Sequence, residues 1–301
     1  MKKCYKILAG VLMALALCGC GVKEISETVD VVIQEELTPA VEEKVQVEEI
    51  ETENIEGDVM VASQEAFSED TDEVEEVLEE IIAETEETTS EKNGYLVVID
   101  AGHQQKGNSE KEPIGPGASE VKAKVSSGTT GVATGLPEYQ LNLKVALLLE
   151  EILIERGYDV LLVRTTHEVN ISNSERAAMA NEAGADAFIR IHANGSENAS
   201  VNGVMTLCQT PSNPYNGQVY GESRRLSDCV LDAFAEKTGA KKQRVWETDT
   251  MSGINWAMVP TTIVEMGYMS NAEEDQRMAD EGYQKLMAEG MADGIDRYFG
   301  R

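Results

Sequence analysis

Tyr95-Leu96-Val97-Val98-Ile99 is an unbroken apolar run that ends in Asp100-Ala101-Gly102-His103. Without a polar face, such a run reads as a strand buried on both sides, the habit of parallel strands covered by helices above and below. Asp100 and Gly102 end the strand and turn the chain. His103 is therefore expected just beyond the carboxyl end of a central strand, where open α/β sheets gather their ligands. A histidine in such a turn is more often a hydrogen-bonded loop residue than a ligand, so the run alone sets the fold class and not the function.

The rest of the chain from Gly94 onward follows the same grammar. Strand-like runs cover 95–100, 159–165, 187–192, 204–208 and 261–265, and helical periodicity covers 138–156, 174–183, 221–237 and 274–298. Strands separated by helices predict a single α/β domain with a mostly parallel central sheet flanked by helices. Residues 104–137 fit neither period. Their Gly, Ser, Thr and Pro content predicts a long loop, of a length that loops reach when they carry function.

Upstream of Gly94 the composition changes. The formal charge of the whole chain is −30, and residues 21–93 hold −23 of it against −10 for residues 94–301. Few large apolar groups and a high net charge predict that 21–93 is a disordered acidic tether. Within it Val74, Val77, Leu78, Ile81 and Ile82 fall at helical spacing, which predicts a helix near 73–84, either docked on the domain or transient. Residues 1–20 are built like a secretory signal. Lys2, Lys3 and Lys6 precede an apolar core, 7–17, too short to span a bilayer. Leu17-Cys18-Gly19-Cys20 resembles a bacterial lipobox, so Cys20 is the expected lipidation site and anchor on the outer face of the cytoplasmic membrane. An acidic chain has no electrostatic footprint for nucleic acid. Cys208 and Cys229 are the cysteines left in the domain. Export permits a disulfide between them, and two free thiols are the alternative.

Other segments carry polar groups where a metal site would need them. Arg190-Ile191-His192-Ala193-Asn194 is a second strand running into a histidine, Glu138 opens a helix after Pro137, and Glu265 ends a buried strand. The chain has three histidines, and two of them stand at strand ends. Two His and one carboxylate are the protein ligands of a catalytic zinc, with a position left open for water, and a further carboxylate can act as general base. His167 reads as a surface-loop residue, and Trp246 and Trp256 as core or cleft aromatics.

Five motifs, in order, resemble those of the zinc-dependent N-acetylmuramoyl-L-alanine amidases of the amidase-3 type. They are Ile99-Asp100-Ala101-Gly102-His103, Glu138-Tyr139-Gln140-Leu141-Asn142, Arg176-Ala177 with Asn181, Ile191-His192-Ala193-Asn194, and Val264-Glu265-Met266-Gly267-Tyr268-Met269-Ser270-Asn271. The resemblance spans 94–301. It implies that one zinc ion is bound by His103, Glu138 and His192, that Glu265 is the catalytic glutamate, and that the substrate is peptidoglycan.

Two departures stand out. Gln104-Gln105 and a long insertion replace the Gly-Gly and short link that commonly follow the first histidine. Arg190 occupies a position where many relatives have Ser. On a strand it shares a face with His192, which makes it a candidate catalytic group that orients Glu265 or binds a substrate carboxylate, with a structural salt bridge as the plainer role. The expectation is a monomeric, membrane-anchored zinc amidase. The alternatives are a zinc peptidase acting within stem peptides and a non-catalytic wall-binding lipoprotein.

Overall fold

Apolar strands and amphipathic helices alternate because neither can bury its hydrophobic surface alone. The computed structural model describes residues 92–301 and stacks them in layers. In chain order the elements are β1 (Leu96–Ala101), β2 (Asn108–Pro113), β3 (Val121–Val125), α1 (Glu138–Glu155), β4 (Asp159–Leu162), α2 (Asn173–Ala183), β5 (Ala187–Asn194) and β6 (Val204–Cys208). After them come α3 (Tyr220–Thr238), β7 (Lys242–Glu247), the single turn α4 (Ser252–Asn255), β8 (Thr261–Tyr268), α5 (Ala272–Ala279) and α6 (Glu281–Phe299). The signal, Cys20, the helix near 73–84 and the acidic segment up to residue 91 lie outside the described residues. Among the described residues, no helix is long and apolar enough to cross a membrane.

Six strands form one sheet in the order β4-β1-β5-β8-β6-β7. Neighbours run parallel except β6 and β8, which are antiparallel. The period of two along β1 sorts its side chains between two cores. Val97, Ile99 and Ala101 pack with Leu141, Val145 and Leu149 of α1 and Met291 and Ile295 of α6. Val98 points the other way, to Ala177 and Ala180 of α2. All four strand residues are fully buried, which is why the run needs no polar face.

Several expectations change. The 104–137 stretch is not all loop: β2 and β3 pair as an antiparallel hairpin separate from the main sheet. Its strand β3, Val-Lys-Ala-Lys-Val, alternates over only five mostly half-buried residues, and β2, Asn-Ser-Glu-Lys-Glu-Pro, lacks the apolar alternation that marks a half-buried strand. For the same reason β7, an edge strand, carried no clear signal. The helix expected over 274–298 is two helices, because Asp280 is extended (φ −75, ψ 127) and its side chain caps α6 by accepting from the Tyr283 N–H. Strand β4 stops at Leu162, while β5 and β8 run on to Asn194 and Tyr268. Cys208 is buried, Cys229 half-buried, and both are free thiols.

Candidate metal centre

Strands β1, β5 and β8 lie side by side and parallel, so their carboxyl ends share one edge of the sheet. Across the ladders Asp100 faces Arg190, and His192 faces Glu265. His103 lies two residues past β1 with φ 59, the one non-glycine residue at positive φ among the described residues. Strain of this kind, on the order of 1 kcal/mol or more, persists where surroundings over-determine it.

Here they do. The Ala101 carbonyl accepts from Arg164 Nε (2.8 Å) and Arg176 Nη1 (3.0 Å). The Gly102 carbonyl accepts from Arg164 Nη2 (3.1 Å) and Asn142 Nδ2 (3.2 Å), and the His103 carbonyl from Arg176 Nη2 (3.0 Å). Gly102 is required by close approach, since a Cβ there would stand 2.2–2.6 Å from the His192 ring.

The turn delivers His103 Nε2 to within 3.0 Å of Glu138 Oε1 and 3.2 Å of His192 Nδ1, and His192 Nδ1 is 3.1 Å from the same carboxylate oxygen. His103 Nδ1 lies 2.9 Å from the Ser126 carbonyl. A carbonyl can only accept, so Nδ1 carries a proton and Nε2 is the nitrogen turned toward the other two donors. Glu138 is fixed in turn, Oε1 accepting from the Ala193 N–H (3.1 Å) and Oε2 from the Thr129 N–H (2.9 Å). Burial would raise the Glu138 carboxyl, but hydrogen bonds and charge from His103 and His192 hold it well below the usual carboxylate range. Burial lowers the His192 imidazole, which favours the neutral, ligating form.

These three donor atoms lie within 4.8 Å of one another and could hold a metal ion. A tetrahedral centre with Zn–N and Zn–O bonds of about 2.0–2.1 Å has donor–donor edges of about 3.3–3.4 Å, within a few tenths of the spacings here. The His–Glu–His donor set fits zinc, and hydrogen bonds to the Ser126 carbonyl and from the Ala193 and Thr129 amides orient it.

Glu265 sits beside this cluster and takes no part in it. Its Oε2 is sealed from solvent and has no hydrogen-bond partner among the described residues. Burial and the charge of Glu138 push its carboxyl up to about 8. It lines a cleft of 220 Å³ together with His103, His192, Arg190, Ser126 and Ser252. The hairpin supplies one wall of that cleft through Val125 and Ser126, and the segment around α4 supplies another through Met251, Ser252 and Gly253.

Arg190 is buried and donates from Nε to Asp100 Oδ2 (2.8 Å) and from Nη2 to Asn173 Oδ1 (2.9 Å). Its hydrogen bonds go to these two residues and none reaches Glu265. His167 packs edge-on against Tyr139, away from the cluster. Glu175 closes a capping box with Ser172, and Asn271 caps α5. Neither tryptophan lines the cleft. Trp246 is 38% exposed on β7, and Trp256 Nε1 donates to the Pro113 carbonyl at 2.8 Å, fastening the hairpin. The sequence reading missed Arg164, which clamps the His103 turn, and Ser126, which orients the ring. Arg164 closes the 159–165 apolar run, a charged residue at a strand end, and that was the available signal. Ser126, in the insertion, offered none.

A family model described as N-acetylmuramoyl-L-alanine amidase matches residues 97–297. The uncharacterised protein YqiI of Bacillus subtilis is 28% identical over 206 residues, covering 68% of this chain and 85% of that protein. The N-acetylmuramoyl-L-alanine amidase LytC of the same organism is 27% identical over 168 residues, which are 56% of this chain and only 32% of LytC. The catalytic domain of the amidase CwlV from Bacillus (Paenibacillus) polymyxa var. colistinus is 29% identical with a TM-score of 0.55, covering 68% of this chain and 98% of that domain.

Proposed function

The chain belongs to the N-acetylmuramoyl-L-alanine amidase family, and from that premise we propose that it is a zinc-dependent peptidoglycan hydrolase. The bond cut is the amide between the lactyl group of N-acetylmuramic acid and L-Ala. The observation that carries the reading is the convergence of His103, Glu138 and His192 beside a second carboxyl, Glu265, whose Oε2 has no partner among the described residues. A binding module would need no such group, and a buried carboxyl without a hydrogen bond is expensive unless it has a use.

Bound at the three donors, zinc would supply Lewis-acid polarisation of the scissile carbonyl and acidification of the attacking water. The chain's own groups do the rest. Glu265 takes the proton of the attacking water on its unpartnered Oε2, since a carboxyl held high is the stronger base, and the departing L-Ala amine, more basic still, then receives it. The Ser126 carbonyl holds His103 in the ligating tautomer. The Ala193 and Thr129 amides keep both oxygens of Glu138 occupied, so Glu138 stays in the ligand set while Glu265 alone handles the proton.

An exported setting is part of the proposal, supported by the signal-like residues 1–20 and the lipobox-like Leu17-Cys18-Gly19-Cys20. Lipidated Cys20 would anchor the chain at the outer face of the cytoplasmic membrane, with the acidic segment as a tether to the wall. The deciding experiment is digestion of purified peptidoglycan by the zinc-loaded protein, with products identified by mass spectrometry. Intact stem peptides with L-Ala at their amino end are expected, together with loss of activity under chelation and recovery on adding zinc. Fragments cut within the stem peptide would replace the amidase with a peptidase.

A further inference from the structure

Asp100 is the one carboxylate shared by two buried guanidinium groups, accepting from Arg176 Nη1 at 2.6 Å and from Arg190 Nε at 2.8 Å. One anion between two cations leaves a positive charge in excess beneath the cleft, and Arg164 adds another where it clamps the Ala101 and Gly102 carbonyls. A buried charge without a counter-charge is costly, and the two arginines are not equally occupied. Arg176 spends every nitrogen, giving Nε to the Ile171 carbonyl, Nη1 to Asp100 and the Ala101 carbonyl, and Nη2 to the His103 carbonyl and Gln104 Oε1. Arg190 uses Nε and Nη2 only, and its Nη1 has no hydrogen-bond partner among the described residues.

Arg190 also lines the cleft that holds His103, His192 and Glu265. On β5 it precedes His192 by two residues on the same face, and across the ladder it faces Ile263, two before Glu265. Two residues of strand rise about 6.6–6.8 Å, the distance that steps over one intervening residue of an extended peptide. Space for Nη1 is kept by Gly253: a Cβ at residue 253 would lie 1.1 Å from that nitrogen.

We propose that the free Nη1 edge of Arg190, held in place by Asp100 and Asn173, is a carboxylate-binding subsite that selects peptides bearing a free carboxylate about one residue from the amide being cut. The proposal rests on the amidase reading and narrows its substrate class. A planar, always-charged fork suits a carboxylate better than Ser or Lys, and a guanidinium already fixed at two nitrogens loses little freedom on binding a third partner.

The test compares two N-acetylmuramoyl-L-alanyl dipeptides that differ only in whether the second residue's carboxylate, the one nearest the L-Ala amide, is free or converted to a carboxamide. Zinc-loaded protein should favour the acid by roughly ten- to hundredfold in kcat/KM, the range of a hydrogen bond to a charged group, mostly through KM. In Arg190→Gln that ratio should fall toward one, and in Arg190→Lys part of it should return. Gly253→Ala, which crowds Nη1 without removing the charge, should also lower the ratio; it serves if Arg190 variants do not fold by circular dichroism. A wild-type ratio near one, or an Arg190→Gln variant that loses both substrates equally, overturns the proposal and leaves Arg190 a structural counter-charge. Should the wild type cleave neither dipeptide, it is the hydrolase reading that falls. Calorimetry with L-alanyl dipeptide acid and amide then decides the subsite, since an acid preference lost in Arg190→Gln supports it and no preference refutes it.

Discussion

The floor and the wall of the cleft are made of different material. The floor is the ends of β1, β5 and β8, where Asp100, Glu138, Arg164, Arg176 and Arg190 are at most 3% exposed and each makes several hydrogen bonds. The wall is the β2–β3 hairpin, two partly exposed strands with a register shift between Asn108 and Lys111. It is fastened by a few polar contacts: Ser174 to Glu112, Asn173 to the Lys124 carbonyl, Lys122 to the Thr250 carbonyl, and Trp256 to the Pro113 carbonyl. An isolated hairpin is marginal in water, so those contacts hold it. Reaction geometry is set where sub-ångström placement is over-determined. The wall is set by those few contacts, where small changes are tolerated.

The largest effect is expected at the floor, from Glu265→Gln. Losing the general base should lower kcat by about 10²–10⁴-fold with zinc affinity little changed. The same substitution should stabilise the metal-free protein. The folded state raises Glu265 from 4.5 to about 8, so above pH 4.5 the unfolded chain gives up a proton that the folded one keeps, and stability falls as pH rises toward 8. Gln removes that loss, on the order of 3 kcal/mol near pH 7. Urea unfolding of both proteins under chelation at pH 5 and pH 8 reads the difference, which should grow with pH. A variant less stable than its parent at pH 8 would mean Glu265 is structural.

Next comes Asp100→Asn, which leaves Arg176 and Arg190 without their shared anion. Breaking a buried pair in this way costs about 3–5 kcal/mol. Burial pushes Asp100 up, yet Arg176 and Arg190 outweigh it and hold its carboxyl well below the usual range. A depressed pKa means stability that is present above about pH 4 and lost as the pH falls. The gap between parent and variant should therefore be widest at neutral pH and close below pH 4. Parallel curves would show that the ion pairs contribute nothing to holding the floor.

The same contrast decides how much could be read from the sequence. The sheet order's inner strands were legible because their apolar runs are long and buried on both faces. His103, Glu138, His192 and Glu265 were legible because each stands at an element's end in a resembling motif. The φ of His103 was not, because it depends on Arg164 and Arg176 reaching back from other elements. Nor was the hairpin: Val121–Val125 alternates for only five residues inside a Gly, Ser, Thr and Pro-rich stretch, and Asn108–Pro113 has no alternating apolar residue to mark it. Asp280 split one helix into two because its capping bond to Tyr283 competes with helix propagation. For His103 and Asp280 alike, a side chain bonded to distant or neighbouring backbone overrides the local pattern.

The smallest expected effect probes the boundary between the two regions. Trp256→Phe keeps an aromatic ring against the Val98 and Phe188 cluster and removes the indole N–H that holds the Pro113 carbonyl. The loss is about 1 kcal/mol, enough to shift Tm by roughly 2–4 °C in a domain of this size. Because the bond fastens the wall alone, amide exchange should quicken across Asn108–Pro113 and Val121–Val125. KM should rise about two- to fivefold while kcat and zinc affinity hold. The boundary lies at Ser126, one residue beyond β3, whose carbonyl receives the His103 Nδ1 proton. If Trp256→Phe weakens zinc binding as well, motion of the hairpin reaches that carbonyl and the wall helps to hold the floor. If zinc affinity is untouched while KM moves, His103 is held by its own turn and by Arg176, and the hairpin is free to vary with the substrate.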